Sequence, residues 1–165
     1  MVRLAIELGS FEERYRGGLL CKDNDGDNVL EDLMNSDTKE WVTFSDVIYE
    51  NQRRDYHEHN DDKYFQVLVQ LRKMGLFKKE DIQEYNLLNK LCSTGYFFPD
   101  KRFRLLVEWD PIALIQPNDD DGYLPLHDAA WFTSIRGFQI VLGYGIRYYP
   151  KKIGIRLLFQ KKYSR

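Results

Sequence analysis

His127 and Asp128 stand side by side in the stretch DGYLPLHDAA, and this pairing suggests acid–base chemistry in which a carboxylate orients an imidazole. Pro125 favours the first turn of a helix, where its missing N–H costs nothing. Adjacent residues of a helix point about 100° apart and do not face each other. No Ser or Cys stands at the spacing of a nucleophile motif. We therefore predict no catalytic site and a structural role for His127.

Two other stretches have some features of metal sites. His57 and His59 lie among carboxylates in DYHEHNDD, but no firm fourth ligand follows them. The run KDNDGDNVLED is similar to a calcium-binding loop. When Asp23 is taken as the first loop position, however, Asn28 stands where Gly is required and Met34 where Glu is required. We predict no metal site and no cofactor, and we interpret DYHEHNDD as a solvated polar loop.

Composition limits the class of protein. The 165 residues suffice for one domain with a core, and an aromatic content of 15 % excludes a disordered chain. Residues 1–62 hold 7 Lys/Arg against 16 Asp/Glu, whereas residues 63–165 hold 17 against 10. This asymmetry fits either acidic loops on a helical body or a partner of opposite charge. Two cysteines without CxxC spacing, and the lack of a signal peptide or a membrane-spanning run, predict an intracellular protein, cytoplasmic or nuclear.

Apolar residues recur at helical spacing in pairs of short segments. The last pair is LPLHDAAWF and IRGFQIVLGYG, and Gly143 or Gly145 is suited to end its second helix. A similar pair, NLLNKLCSTG and KRFRLLVEWDP, lies 38 and 35 residues earlier. A third begins at KDNDGDNVLEDLM, and its partner DKYFQVLVQLRKMG follows a polar insertion at 35–61. A period in the thirties is typical of a solenoid.

The last unit resembles the ankyrin repeat. Its pattern D-x-x-G-x-x-P-L-H-x-A-A is formed by Asp119, Gly122, Pro125, Leu126, His127, Ala129 and Ala130. The resemblance implies an all-α, ankyrin-like α-solenoid of stacked helical hairpins with short turns, in a single domain, 1–165. Its units are about 1–22 (partial), 23–76 with the insertion 35–61, 77–118 and 119–158.

The resemblance also implies roles for single residues. His127 is expected to tie adjacent repeat loops by hydrogen bonds, and Ala129 and Ala130 to keep the helices close. Two positions depart from the family pattern, since Leu124 replaces its Thr and Thr133 replaces its inter-helix Gly. A β-branched residue disfavours positive φ, so we expect a changed turn between these helices.

The function that the resemblance implies is a non-catalytic scaffold for protein–protein interaction. The turn tip and the exposed helix positions would contact a protein partner through Asp120, Asp121, Tyr123, Asp128, Trp131 and Phe132. Packing against a next unit or against the C-terminal tail accounts equally well for the aromatic residues Trp131 and Phe132. The alternative function is nucleic-acid binding by the basic C-terminal half, through Lys101, Arg102, Arg104, Lys151, Lys152, Arg156, Lys161, Lys162 and Arg165.

Overall fold

The computed structural model describes residues 13–35, 47–95, 97–119 and 122–150, with side chains from residue 16 and, in the second range, from residue 54. Within these ranges it contains helices and no strand, so the predicted all-α class is confirmed for them. In order, the elements are a first 3-10 helix (Glu13–Gly18), α1 (Val29–Asp32), α2 (Val47–Lys73), α3 (Lys79–Glu84), α4 (Leu87–Cys92), α5 (Asp100–Trp109), a second 3-10 helix (Pro111–Ile115), α6 (Pro125–Phe132) and α7 (Ile135–Tyr148).

Helices at equivalent positions in successive helix pairs pack against each other. Helix α4 packs against α1 and α6, while α5 packs against α2 and α7. Helices α6 and α7 also pack against each other across the two residues that join them. We call α1, α4 and α6 the first helices, and α2, α5 and α7 the second helices. Both groups contribute to one core, which includes Leu30, Leu88, Leu126, Phe103 and Val141.

Helix α2 is longer than the sequence indicated. It begins at Val47, whereas the predicted partner helix began at Asp62. The prediction of a solvated loop for residues 55–62 is wrong, because this whole stretch lies inside α2. Of the predicted insertion, residues 36–46 lie outside the described residues, and the proposed unit boundaries stay a prediction.

A buried ion pair attaches the end of this polar stretch to the rest of the fold. Asp61 accepts a hydrogen bond from Arg102 Nε at 2.7 Å and another from the backbone N–H of Lys101 at 3.0 Å. Arg102 also donates to the carbonyl oxygen of Leu33 at 2.6 Å, and its guanidinium lies 5.1 Å from the ring centre of Tyr64. Burial lowers the pKa of Arg102, and Asp61 opposes this effect. Helices α2 and α5 and the end of α1 are therefore joined by one charged group.

The connection between α6 and α7 confirms the expected change of turn. Thr133 adopts φ −98° rather than a positive value, and its hydroxyl donates to the carbonyl oxygen of Ala129 at 2.8 Å. Ser134 then caps α7, since its Oγ accepts from the N–H of Gly137 at 3.3 Å. A Cβ on Gly137 would lie 2.8 Å from the ring of Phe98, so this close approach requires glycine.

Helix α7 does not end at the glycines that were expected to stop it. It continues through Gly143 and Gly145 to Tyr148, so that prediction is wrong. Tyr149 leaves the helical conformation with φ −122° and ψ 70°, since Pro150 disfavours the α region for the residue before it. The hydroxyl of Tyr149 donates to the carbonyl oxygen of Pro111 at 3.0 Å, which attaches the end of α7 to the second 3-10 helix.

Candidate functional site

His127 caps the start of its own helix. The N–H of Leu124, the residue before α6, donates to His127 Nδ1 at 3.1 Å. Glu31 does the same in α1, where its Oε2 accepts from the N–H of Asn28 at 2.8 Å. In both helices the third residue thus satisfies a backbone donor that would otherwise lack an acceptor. The Nδ1 lone pair that a general base would use is engaged by this bond.

Asp128 was predicted to face outward on the interaction surface, and this is wrong. Its side chain is buried, with 5 % of the residue exposed, and Oδ2 accepts from Asn89 Nδ2 at 2.8 Å. The same amide donates to the carbonyl oxygen of Tyr123 at 2.9 Å. Asn89 stands 38 residues before His127. It therefore makes the contact between adjacent loops that the resemblance assigned to a His at this position.

Lys90 makes a matching contact on the other side of α4. Its Nζ lies 2.8 Å from Asp27 Oδ1 and 3.2 Å from Glu31 Oε1. Burial alone would lower the pKa of Lys90, but hydrogen bonds to these two carboxylates outweigh it and raise the pKa. The first helices thus share one polar contact, in which the third residue of one helix meets the fourth residue of the next.

The acidic turns that precede α1 and α6 have related hydrogen bonds. At the first turn, Asp23 Oδ1 accepts from the N–H groups of Asp25 and Asp27, and Gly26 has φ 90°. At the second, Asn118 Oδ1 accepts from the N–H of Tyr123, and Gly122 has φ 69°. Asn118 rather than Asp119 is therefore the counterpart of Asp23, with one extra residue in the turn.

Of the other residues of the ankyrin-like pattern, Pro125, Leu126 and Ala129 agree with their expected positions. Pro125 is the first residue of α6, and Leu126 and Ala129 are buried. Asp119 is exposed, and its Oδ2 accepts from Asn86 Nδ2 at 3.2 Å. Ala130 is exposed, so the prediction that it keeps two helices close is wrong. It lies on the same face of α6 as His127, three residues earlier.

Three apolar side chains are exposed within five consecutive residues at the junction of α6 and α7. Trp131 is 84 % exposed, Phe132 44 % and Ile135 79 %. We call these three residues the Trp131 surface. The sequence pattern indicated the two aromatic residues but not Ile135, which is the first residue of the apolar segment IRGFQIVLGYG.

Of the other residues predicted to contact a partner, Tyr123 is not part of the Trp131 surface. Tyr123 is 38 % exposed, but it precedes α6, and a helix of eight residues is about 12 Å long. Its ring makes an edge contact with His127, with 5.9 Å between ring centres. Asp120 and Asp121 lie outside the described residues.

Three of the residues predicted to bind nucleic acid are engaged with carboxylates. Arg102 is buried against Asp61, so the prediction that it contacts a phosphate backbone is wrong. Lys101 pairs with Asp62, and Arg104 pairs with Asp100 at 3.0 Å. The six others, Lys151, Lys152, Arg156, Lys161, Lys162 and Arg165, lie outside the described residues.

His57 and Cys92, whose side chains are of types that often act in catalysis, pack against other groups of the protein. His57 stacks on the ring of Phe97, with 5.1 Å between ring centres. Burial, and then the charge of Asp128, raises the pKa of the Cys92 thiol well above its usual value. In the part of the chain that the structure describes, no three His, Cys, Asp or Glu side chains form a metal-binding group. None of the helices described is long and apolar enough to cross a membrane.

Comparison of the chain with protein-family models, with curated proteins and with solved structures found no match.

Proposed function

We propose that this protein is a non-catalytic protein-interaction module, built as a divergent array of ankyrin-like helical hairpins. The observation that carries the proposal is the Trp131 surface. Three large apolar side chains that are exposed within five consecutive residues are typical of a surface that another molecule covers. Aromatic residues are enriched at the centres of protein interfaces.

The array part of the proposal is supported by the packing of the first helices. The contact between Glu31 and Lys90 joins the third residue of one helix to the fourth residue of the next. The contact between Asn89 and Asp128 joins the same two positions. Repetition of one polar contact at equivalent positions is expected when similar units stack in one direction.

The Trp131 surface differs from the equivalent places in the earlier units. Trp131 is the seventh residue counted from the start of α6. Counted the same way, Asn35 follows α1 and Ser93 follows α4, and both are exposed. A polar residue suffices at this place in two units, so a tryptophan there needs a reason other than folding. Covering a Trp side chain removes about 150–250 Å² from water, a gross gain of about 4–6 kcal/mol at about 25 cal/mol per Å² before the costs of association.

The test compares two exposed isoleucines on different parts of the molecule. Ile135→Ala, alone and together with Trp131→Ala, is compared with Ile112→Ala, because Ile112 is 53 % exposed and lies on the second 3-10 helix. Proteins captured by the wild type are identified, purified and titrated against each variant. We expect the double variant to bind about 30-fold or more weakly, as for the loss of hot-spot residues, and Ile112→Ala to bind normally. Equal binding by all variants would refute the proposal.

A further inference from the structure

The end of α7 carries two stacked tyrosine rings with an arginine beside them. Tyr144 and Tyr148 are half-buried, and their ring centres are 6.2 Å apart with 21° between the ring planes. The guanidinium of the exposed Arg147 lies 5.9 Å and 5.8 Å from the two ring centres. Tyr144 also makes an edge contact with the buried Phe103 of α5, which attaches the row of rings to the core. We call Tyr144, Arg147 and Tyr148 the Tyr148 platform.

The sequence around the Tyr148 platform is strongly basic. Residues 129–165 contain eight Lys or Arg and no Asp or Glu, and six of these cations belong to residues 151–165. The first of the six, Lys151, comes three residues after Tyr148, so their Cα atoms are within about 11 Å of each other. A basic stretch of this kind attracts polyanions, because each phosphate that it neutralises releases bound counterions.

Three carboxylates of neighbouring elements are close enough to act on the tyrosines at the end of α7, and two of them are already paired. Asp100 pairs with Arg104 at 3.0 Å, and the buried Asp110 pairs with Lys79 at 3.4 Å. The third is Glu108, which is exposed on α5. One carboxylate does not offset the arginine of the platform and the six cations of residues 151–165. The end of α7 is therefore positively charged.

The acidic run 119–121 precedes a first helix, whereas the Tyr148 platform ends a second helix. The run lies in the turn before α6, where Asp119 accepts a hydrogen bond from Asn86, the residue that precedes α4. Its first residue therefore adjoins the start of the first helices, and its charge is directed to that contact.

Stacked rings beside an arginine favour one class of polyanion. A nucleobase has a flat face that stacks on a tyrosine ring or on a guanidinium, and the phosphate next to it supplies the negative charge. A phospholipid head group or an acidic peptide supplies the charge but gives a pair of tyrosine rings no flat face to stack on. In a duplex the bases stack on each other, so their faces are accessible in a single strand. The platform and its charge together fit single-stranded nucleic acid.

We propose that the Tyr148 platform and the basic residues that follow it bind single-stranded nucleic acid. A base stacks on the ring of Tyr148, Arg147 contacts the adjoining phosphate, and the cations of residues 151–165 neutralise phosphates further along the strand. This activity goes beyond the proposed function and uses other residues. Ile135 of the Trp131 surface is the first residue of α7 and lies about 20 Å from Tyr148 at the other end of the helix.

The test measures the binding of the full chain to fluorescently labelled oligonucleotides by anisotropy. The probes are single strands of about 12 nucleotides, one of uridine and one of deoxythymidine, and a DNA duplex of the same length. Inorganic polyphosphate and phosphatidylserine vesicles serve as competitors. Tyr148→Leu and Tyr148→Phe are compared with Tyr56→Leu, because Tyr56 is 49 % exposed on α2. Arg147→Gln is compared with Arg136→Gln, an exposed arginine in the first turn of the same helix.

We expect Tyr148→Leu to bind single strands about fivefold to 100-fold more weakly, as for the loss of one stacked base. Tyr148→Phe keeps the ring and should bind as the wild type does, and so should Tyr56→Leu. Arg147→Gln should reduce the slope of log affinity against log salt by about 0.7, the value for one phosphate contact on a single strand, and Arg136→Gln should leave the slope unchanged. Tighter binding of one of the two single strands identifies the sugar that the site prefers.

Four results would overturn the inference. The first is no binding of either single strand at low salt. The second is equal affinity of the wild type and Tyr148→Leu, which excludes stacking; if circular dichroism shows that this variant does not fold, an unchanged salt slope for Arg147→Gln is decisive instead. The third is equal competition by polyphosphate at the same phosphate concentration, which reduces the interaction to charge alone. The fourth is tighter binding to the duplex or to the vesicles, which identifies a different ligand. None of these results bears on the proposed function, which depends on Trp131.

Discussion

Replacement of Arg102 by Met should greatly destabilise the protein. Arg102 is 1 % exposed and bonds both to Asp61 of α2 and to the carbonyl oxygen of Leu33. Methionine would keep much of the apolar volume, but among the described residues it would leave the buried carboxylate of Asp61 with the N–H of Lys101 as its remaining donor. Breaking a buried pair in this way costs about 3–5 kcal/mol, which lowers the folding equilibrium constant by a factor of about 100 to 4,000.

The assay is urea unfolding followed by helical circular dichroism, with Arg104→Met as the matched control. Arg104 lies on the same helix, and its pair with Asp100 is exposed and worth about 0.3–0.5 kcal/mol. The double variant Asp61→Asn with Arg102→Met should lose less than the sum of the single losses, because no isolated charge remains. If Arg102→Met lowers the free energy of unfolding no more than the control does, the reasoning is refuted. Asp61 would then lie in solvent, as it would in a loop.

Three other outcomes follow from packing and burial. Gly137→Ala should destabilise the protein by about 1–3 kcal/mol, because the added methyl group collides with the ring of Phe98. Gly143→Ala, in the same helix, should stabilise it by about 0.5–1 kcal/mol, because no atom lies within 4 Å of the added methyl group. Thermal melts that give both changes the same sign would contradict this. Iodoacetamide at mildly alkaline pH should label Cys21 rapidly and Cys92 only after unfolding, because burial raises the pKa of the Cys92 thiol. Mass spectrometry measures both labelling rates, and equal rates would contradict this prediction. Asn89→Ala should cost about 2–3 kcal/mol, since it leaves a buried carboxylate without its amide donor, and chemical denaturation with no change in midpoint would disprove it.

The pattern of the last unit was well predicted because its residues act locally. A proline at a helix start, a glycine in a tight turn and leucines at helical spacing have the same consequence wherever they occur, so Pro125, Gly122 and Leu126 are placed as the sequence indicated. The same holds for Thr133, whose branched side chain excludes the positive φ of the usual inter-helix glycine.

The errors fall where a distant partner decides the environment. Asp128 looked exposed because it is a carboxylate next to a helix start, yet the amide of Asn89, 39 residues earlier in the chain, satisfies it in the interior. Residues 55–62 looked like a loop because they are almost all polar, yet they lie inside α2, and Asp61 among them pairs with Arg102 in the interior.

The sequence by itself determined the helical segments of α1, α4, α5, α6 and α7 and the candidate aromatic residues, because periodicity and turn chemistry are local properties; it did not determine where α2 begins or that α3 forms. The tertiary structure decided which side chains meet water. It buried Asp128, left Trp131 and Ile135 exposed together, and connected one first helix to the next through Lys90 and Asn89. These outcomes depend on how helices far apart in the chain are stacked, since burial is set by neighbours in space rather than in sequence.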